Sequence, residues 1–341
     1  MRQVWIPKAG PPEVLELREA PDPQPRAREM RVRVEVSGVN FADIMGRLGI
    51  YPDLPAMPVV VGYEVGGRVD AVGDGVDASW VGRDVLAMTR FGGYADVICV
   101  PEAHVWARPA GMSAEDGAAL PVNYLTAYQL VVVMGSLRAG DTVLVHSAGG
   151  GVGIAATQLA KTLGATVIGI ASRSKHDALR KVGVDELIDG RQEDFETRVR
   201  DLTAGHGVEL VLDAVGGESW AKGFRVLAPS GRMGMFGMSS AAAGKTRNIT
   251  ALLKAALRTP WLRFTPLTLM NENKGVFGVN IGHLWHEIPR VRGWMNALVA
   301  DYARGVIRPV IAARFPLERA AEAHHYIQDR RNLGKVLLTT G

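Results

Sequence analysis

The chain has 341 residues, 47% of them hydrophobic and 22% charged. That length holds two domains with cores of their own, and so ordinary a composition excludes a disordered or collagen-like chain. Lys and Arg number 39 against 35 Asp and Glu, a net charge of +4; with no basic run, nucleic acid is not an expected partner.

Residues 1 to 120 read as β-rich. Arg31-Val32-Arg33-Val34-Glu35-Val36 alternates with period two, and Val59-Val60-Val61 and Asp96-Val97-Ile98-Cys99-Val100 are further strand candidates. Turn signals at Pro21-Asp22-Pro23, Gly73-Asp74-Gly75 and Gly92-Gly93 separate them, which predicts a compact, partly barrel-like β domain. Near Pro121 the character changes. Thr142-Val143-Leu144-Val145-His146 predicts a buried strand, and Val152, Ala156, Leu159 and Leu163 share one helical face after it. Strands at 166–171, 187–189, 208–213 and 232–237 complete five in a βα alternation, which argues for a parallel, doubly wound sheet. After about 265 the pattern is mixed, with a helix carrying Val291, Met295, Leu298, Val299 and Tyr302 and a last strand over 334–338.

Cys99 is the only cysteine, which excludes an intramolecular disulfide and a four-cysteine zinc site. The start, Met1-Arg2-Gln3-Val4-Trp5-Ile6-Pro7, lacks the apolar run of a signal peptide, and no 18-residue apolar stretch is free of charge. The expected location is the cytoplasm.

Ala148-Gly149-Gly150-Gly151-Val152-Gly153 lies between the buried strand and its helix. Glycines there let backbone approach a pyrophosphate, and the helix N-terminus stabilises its charge; the plain alternative is a tight turn without a ligand. An NAD site wants a carboxylate at the end of the second strand. That end reads Ala171-Ser172-Arg173-Ser174-Lys175, two cations and two hydroxyls. It favours a 2′-phosphate, hence NADPH.

Four motifs occur in order: Gly38-Val39-Asn40-Phe41-Ala42-Asp43, Gly62-Tyr63-Glu64, Leu120-Pro121-Val122-Asn123-Tyr124-Leu125-Thr126-Ala127-Tyr128, and His146 to Gly153. With them the whole chain resembles the medium-chain dehydrogenase/reductase superfamily, in its zinc-free quinone oxidoreductase branch. Asn271 to Gly278 and the ending Asn332-Leu333-Gly334-Lys335-Val336-Leu337-Leu338 look most like the vesicle amine transport protein and zeta-crystallin type of subgroup.

The resemblance implies an α/β protein in two domains: a GroES-like β-rich catalytic domain over 1–122 and 266–341, and a Rossmann domain over 123–265 inserted between its halves. It implies an active site in the cleft separating them and a homodimer joined through the Rossmann sheets. In motif register, the catalytic-zinc positions of metal-dependent relatives fall on Asn40, Tyr63 and about Val122, so no metal is expected. Hydride transfer then needs an electron-poor acceptor, a quinone or an α,β-unsaturated carbonyl, whose growing oxyanion is met by the Asn40 amide or the hydroxyls of Tyr51 and Tyr63. Asn40 can equally be a turn cap, Tyr63 a packed residue, and Asp43 a group that orients Asn40 or caps a helix. The proton comes from Tyr51 or from solvent. Implied coenzyme contacts are Thr126, Ser147 in the first place of the family turn, Gly150, Gly151, Val152, Gly153, Ser172, Arg173, Lys175, Gly237, Met238, Phe277, Val279 and Asn332. Gly190 stands where relatives often have Tyr, and Arg191 is expected to compensate.

Two other readings compete. One is an enoyl-thioester reductase with Lys254, Arg258 and Arg263 at a basic entrance. The other is a membrane-associated binding protein with vestigial activity, in which Ile249 to Phe264 is an interfacial helix; a helix and loop covering the substrate cleft is the favoured reading of that stretch.

Overall fold

Alternation along Glu29–Val39 decides which side chains enter the core. Met30, Val32, Val34 and Val36 are buried, while Arg31 and Arg33 stay outside and pair with Asp70. The computed structural model describes residues 1–242, 244, 245, 257 and 264–341. These form two units. One holds Met1–Leu125, Gly244, Lys245 and Ile281–Gly341; the other holds 126–242, Leu257 and 264–280.

The first unit contains β1 (Arg2–Ile6), β2 (Glu16–Glu19), β3 (Glu29–Val39), β4 (Val59–Val60), β5 (Glu64–Val72), β6 (Asp84–Met88), β7 (Val97–Pro101) and β8 (Val105–Ala107). The second contributes β9 (Thr142–Val145), β10 (Thr166–Ala171), β11 (Glu186–Asp189), β12 (Val208–Asp213), β13 (Leu227–Met235) and β14 (Gly275–Gly278). The chain returns to the first unit with β15 (Ile311–Pro316) and β16 (Lys335–Thr339).

In the first unit one sheet runs β15-β16-β3-β5-β6-β8 with β7 on β3, and β1 pairs with β2 and β4. The register matters for chemistry. β16 lies antiparallel to β3 with Val336 opposite Val39, and β5 flanks β3 on the other side with Val65 opposite Ser37. The end of β3 is thus bracketed by the starts of β5 and β16. The helix Phe41–Arg47 follows at once, with Asn40 as its N-cap.

The second unit is a parallel sheet in the order β11-β10-β9-β12-β13-β14. Its direction of winding reverses beside β9, and in such sheets ligands bind beyond the carboxyl ends of the strands at that reversal. Val143, Leu144 and Val145 of β9 are fully buried, as a central parallel strand requires.

The doubly wound α/β class agrees with the sequence expectation, with two differences in detail. The sheet has a sixth strand, β14, paired to β13 with Phe277 opposite Gly234. Residues 266–280 therefore pack with the second unit, although the sequence reading put the return to the first at 266. Four residues of edge strand carry too little pattern to be seen in advance. The fifth strand also ends at Met235, which places Phe236 and Gly237 in the loop beyond it.

Candidate active site

Asn40 sits at the turn from β3 into its helix, and the Asp43 carboxylate accepts from its backbone N–H at 2.7 Å. This is the carboxylate half of a capping box. The amide itself is engaged by two charged residues. Asn40 Nδ2 donates to Glu64 Oε1 at 3.0 Å, and Lys335 Nζ donates to Asn40 Oδ1 at 2.7 Å. Lys335 also donates to Glu64 Oε1, and the Val122 N–H donates to Glu64 Oε2 at 2.6 Å. Glu64 and Lys335 are buried. A buried ion pair is tolerated when further hydrogen bonds satisfy its atoms, as they do here. Gly38 makes room: a Cβ there would lie 2.6 Å from Glu64 Oε1 and 2.6 Å from the Ala118 carbonyl oxygen.

Tyr63 precedes Glu64 and is flanked by rings, with centroids 6.2 Å to Tyr51 and 5.2 Å to Phe91. Burial, then the negative charge of Asp43, pushes the Tyr63 phenol far up, so it stays protonated and keeps an O–H to donate. Below Asn40, Asp43 takes part in a second buried network. Its Oδ1 accepts from the Gly62 N–H at 3.0 Å, its Oδ2 accepts from the Tyr94 hydroxyl at 3.2 Å, and that hydroxyl lies 3.1 Å from His324 Nε2. Burial raises the Asp43 carboxyl to about 7 and lowers His324 to about 3.

In the second unit, Ser147 follows β9 with a positive φ of 54°, and the Gly150 N–H donates back to the Ser147 carbonyl at 2.8 Å. Gly150 caps the helix Gly151–Thr162 without a side-chain hydrogen bond. The first N–H groups of a helix lack intrahelical partners and suit an anion. Gly153 is demanded by packing, since a Cβ would lie 2.6 Å from the Ser147 carbonyl oxygen and 2.7 Å from Ala148 Cα. At the end of β12, Asp213 Oδ1 accepts from the N–H groups of Val215 at 2.6 Å and Gly216 at 3.1 Å, and Ser219 donates to its Oδ2. His146 is buried 3.8 Å from Asp213 Oδ2, and burial pushes its pKa down.

The cationic stretch lies at one edge of this sheet. Ser172, half-buried, opens the single turn Arg173–Lys175, in which Arg173 is exposed. Ala171 pairs in register with Asp189, so Arg191 emerges from the neighbouring strand end, its N–H donating to Asp189 Oδ1 at 3.1 Å. At the other side, Gly237 and Met238 follow β13, Phe277 lies in β14, and the Val279 N–H donates to the Met235 carbonyl at 2.9 Å. Thr126 is buried in the helix Pro121–Tyr128. Asn332 belongs to the first unit, where its amide donates to the Gly334 carbonyl at 3.2 Å.

Structure therefore gathers Asn40 with Glu64 and Lys335, and Tyr51 with Tyr63; it gathers the glycine turn with His146 and Asp213. Glu64, Lys335 and Asp213 carry no role in the sequence reading. The available signal was membership of the motifs Gly62-Tyr63-Glu64 and Gly334-Lys335-Val336 and, for Lys335, a charge opening the apolar run Val336-Leu337-Leu338. Lys254, Arg258 and Arg263, and all of 249–264 except Leu257 and Phe264, lie outside the described residues.

Two family patterns match the chain: an alcohol dehydrogenase GroES-like domain over residues 26–110 and a zinc-binding dehydrogenase over 182–338. The mouse synaptic vesicle membrane protein VAT-1 homolog is 40% identical over 330 residues, 96% of this chain and 80% of that protein. Among solved structures, the human VAT-1 homolog-like protein has a TM-score of 0.86 at 33% identity, covering 100% of this chain and 98% of that one. The Escherichia coli quinone oxidoreductase complexed with NADPH has a TM-score of 0.87 at 30% identity, covering 99% of this chain and 100% of that one. The zinc in one family's description does not fit the residues present. Among the described residues no three His, Cys, Asp or Glu side chains gather as a ligand set. The Lys335 ammonium already occupies Asn40 Oδ1 and Glu64 Oε1, and a second cation would meet its charge. Pattern, identity over nearly the full length and fold agree that the chain belongs to the medium-chain dehydrogenase/reductase superfamily, as a relative of the VAT-1 proteins within it.

Proposed function

We propose that the protein is an NADPH-dependent oxidoreductase that reduces a quinone or an α,β-unsaturated carbonyl compound without a metal. The observation that carries the reaction is the donor set at Asn40: an amide held between an ammonium and a carboxylate, with the protonated phenol of Tyr63 next in sequence to that carboxylate. Such donors suit an oxygen on which negative charge grows. They suit an acceptor that is already electron-poor, because among the described residues no metal ligand set gathers to polarise an inert carbonyl.

NADPH supplies a hydride when bound. On this reading the N–H groups of Gly151, Val152 and Gly153 hold its pyrophosphate. Ser172, Arg173, Lys175 and Arg191 hold the 2′-phosphate, and Phe277 and Val279 border the nicotinamide. The neighbour crystallised with NADPH supports the choice of coenzyme. Asn40 donates an N–H to the acceptor oxygen, and Tyr51 or water returns the proton.

Turnover of 1,4-naphthoquinone with NADPH and with NADH tests the reading; equal use of NADH, or no turnover, refutes it. Faster turnover of crotonyl-coenzyme A than of the quinone would favour the enoyl-thioester alternative. Asn40→Ala should lower kcat/KM tenfold or more, ~1.4 kcal/mol of transition-state stabilisation. We also propose a cytoplasmic homodimer: β14 ends its sheet among the described residues and offers an edge for a second copy. Light scattering that gave a monomer at assay concentration would refute the dimer.

A further inference from the structure

We propose that Lys335 is a positioning residue that fixes the polarity of the Asn40 amide, so that an N–H and never a carbonyl oxygen is offered to the acceptor. This rests on the hydride-transfer reading above and assigns a further residue to it.

The chemistry of the partners decides the orientation. An ammonium only donates, so the Asn40 atom 2.7 Å from Lys335 Nζ is Oδ1. A carboxylate only accepts, so the atom 3.0 Å from Glu64 Oε1 is Nδ2. Flipping the amide would set Nδ2 against the ammonium and Oδ1 against the carboxylate, two repulsive contacts in a buried place. Charge-assisted bonds are the stronger kind, and burial strengthens them further. Glu64 is in turn held by the Val122 N–H at 2.6 Å, and Lys335 is anchored by its own N–H to the Val310 carbonyl at 2.8 Å. Glu64 takes one hydrogen of Nδ2, and the second is the one offered to the acceptor. An amide free to rotate would offer its oxygen part of the time, and an oxygen repels a growing oxyanion. The positive charge of Lys335 also draws electrons through the amide and sharpens that N–H as a donor. No atom is transferred to or from Lys335.

The test uses the full-length protein with NADPH and 1,4-naphthoquinone. Asn40→Ala, Lys335→Met and the double variant are compared by kcat, by NADPH Kd and by thermal midpoint. If Lys335 acts through Asn40, each single variant loses kcat tenfold or more, NADPH Kd stays within twofold, and the double variant loses no more than the worse single one. A multiplied loss in the double variant, or a lowered thermal midpoint with wild-type kcat, overturns the proposal. Should Lys335→Met fail to fold, Lys335→Gln carries the test, because it keeps a polar partner for Glu64 and removes the charge that fixes the Asn40 amide. A tenfold loss of kcat with unchanged NADPH Kd supports the proposal, and wild-type kcat overturns it. If wild-type protein does not reduce the quinone, the function reading fails by itself. The side-chain amide protons of Asn40, assigned by their absence in Asn40→Asp, still report on the clamp. Their exchange with solvent should quicken tenfold or more in Lys335→Met, and unchanged exchange overturns the clamp.

Discussion

The two units build their candidate sites from opposite materials. In the second, the parts are contiguous in sequence and largely backbone: a strand, a turn with Ser147 at positive φ, a glycine that packing demands, and a helix start. In the first, Asn40, Glu64 and Lys335 come from three distant segments and meet only because β5 and β16 flank the end of β3. One site is fixed by what the chain can do locally, the other by long-range register. A backbone site tolerates changes of side chain but no added Cβ. A charge-clamped site tolerates no loss of a partner.

That contrast can be broken at either end. The largest expected effect on stability is at the clamp. Glu64→Ala leaves the Lys335 ammonium buried with its main counter-charge gone, and removing one partner of such a pair costs about 3–5 kcal/mol. Denaturant unfolding measures it; a loss under 1 kcal/mol would mean that water or a neighbour replaces the carboxylate with ease. Gly153→Ala comes next. Its Cβ would lie 2.6 Å from a backbone oxygen that cannot swing aside, so the turn must shift, at roughly 1–3 kcal/mol. NADPH affinity should fall tenfold or more while the far-ultraviolet spectrum is unchanged. Retained affinity would remove the turn from the coenzyme site.

These two residues also show what the sequence made legible. Gly153 announces itself, because a glycine at that place after a buried strand and before an amphipathic helix has a mechanical reason. The parallel sheet was legible for the same cause, its strands being short apolar runs at regular spacing. β14 was not, since an edge strand of four residues is defined by its neighbour β13 more than by its own pattern. Asn40 could be given a role by motif, but Glu64 and Lys335, though inside motifs, could not be paired with it. A lysine opening an apolar strand reads as an end charge until register puts it opposite the end of β3. The Tyr94–Asp43–His324 network was hidden likewise, since its members are separated by 51 and 230 residues.

That network gives the next comparison, now in pH. The Asp43 carboxyl is raised to about 7 from its ordinary 3.8, so the folded state holds its proton more tightly than the unfolded one. Its contribution to stability is complete below 3.8 and is lost as pH rises through 7. His324 is lowered to about 3 from 6.5, so its contribution is complete above 6.5 and is lost as pH falls toward 3. The two slopes oppose each other between 3.8 and 6.5. Asp43→Asn removes the first. The stability of that variant relative to wild type should therefore rise from pH 4 to pH 7, by at most ~1.4 kcal/mol per pH unit, on top of a constant loss from its broken bonds. Parallel stability curves for the two proteins would show that Asp43 ionises in the fold as it does in the unfolded chain.

The smallest expected effect lies at the exposed edge of the second unit. Arg173 is open to solvent at the end of β10, and exposed cations gain little from any one contact. If it grips a 2′-phosphate, Arg173→Ala should raise KM for NADPH about tenfold, ~1.4 kcal/mol, and leave KM for NADH unchanged. Arg191 emerges from the adjacent strand end but its backbone is tied to Asp189, so Arg191→Ala should cost less, about threefold, or ~0.7 kcal/mol. The ratio of the two coenzymes is the decisive reading, because a general loss of positive charge would weaken both pyrophosphates alike. A fall shared equally by NADPH and NADH would make Arg173 part of the surface field, and the choice between coenzymes would then rest on Ser172, Lys175 and Arg191.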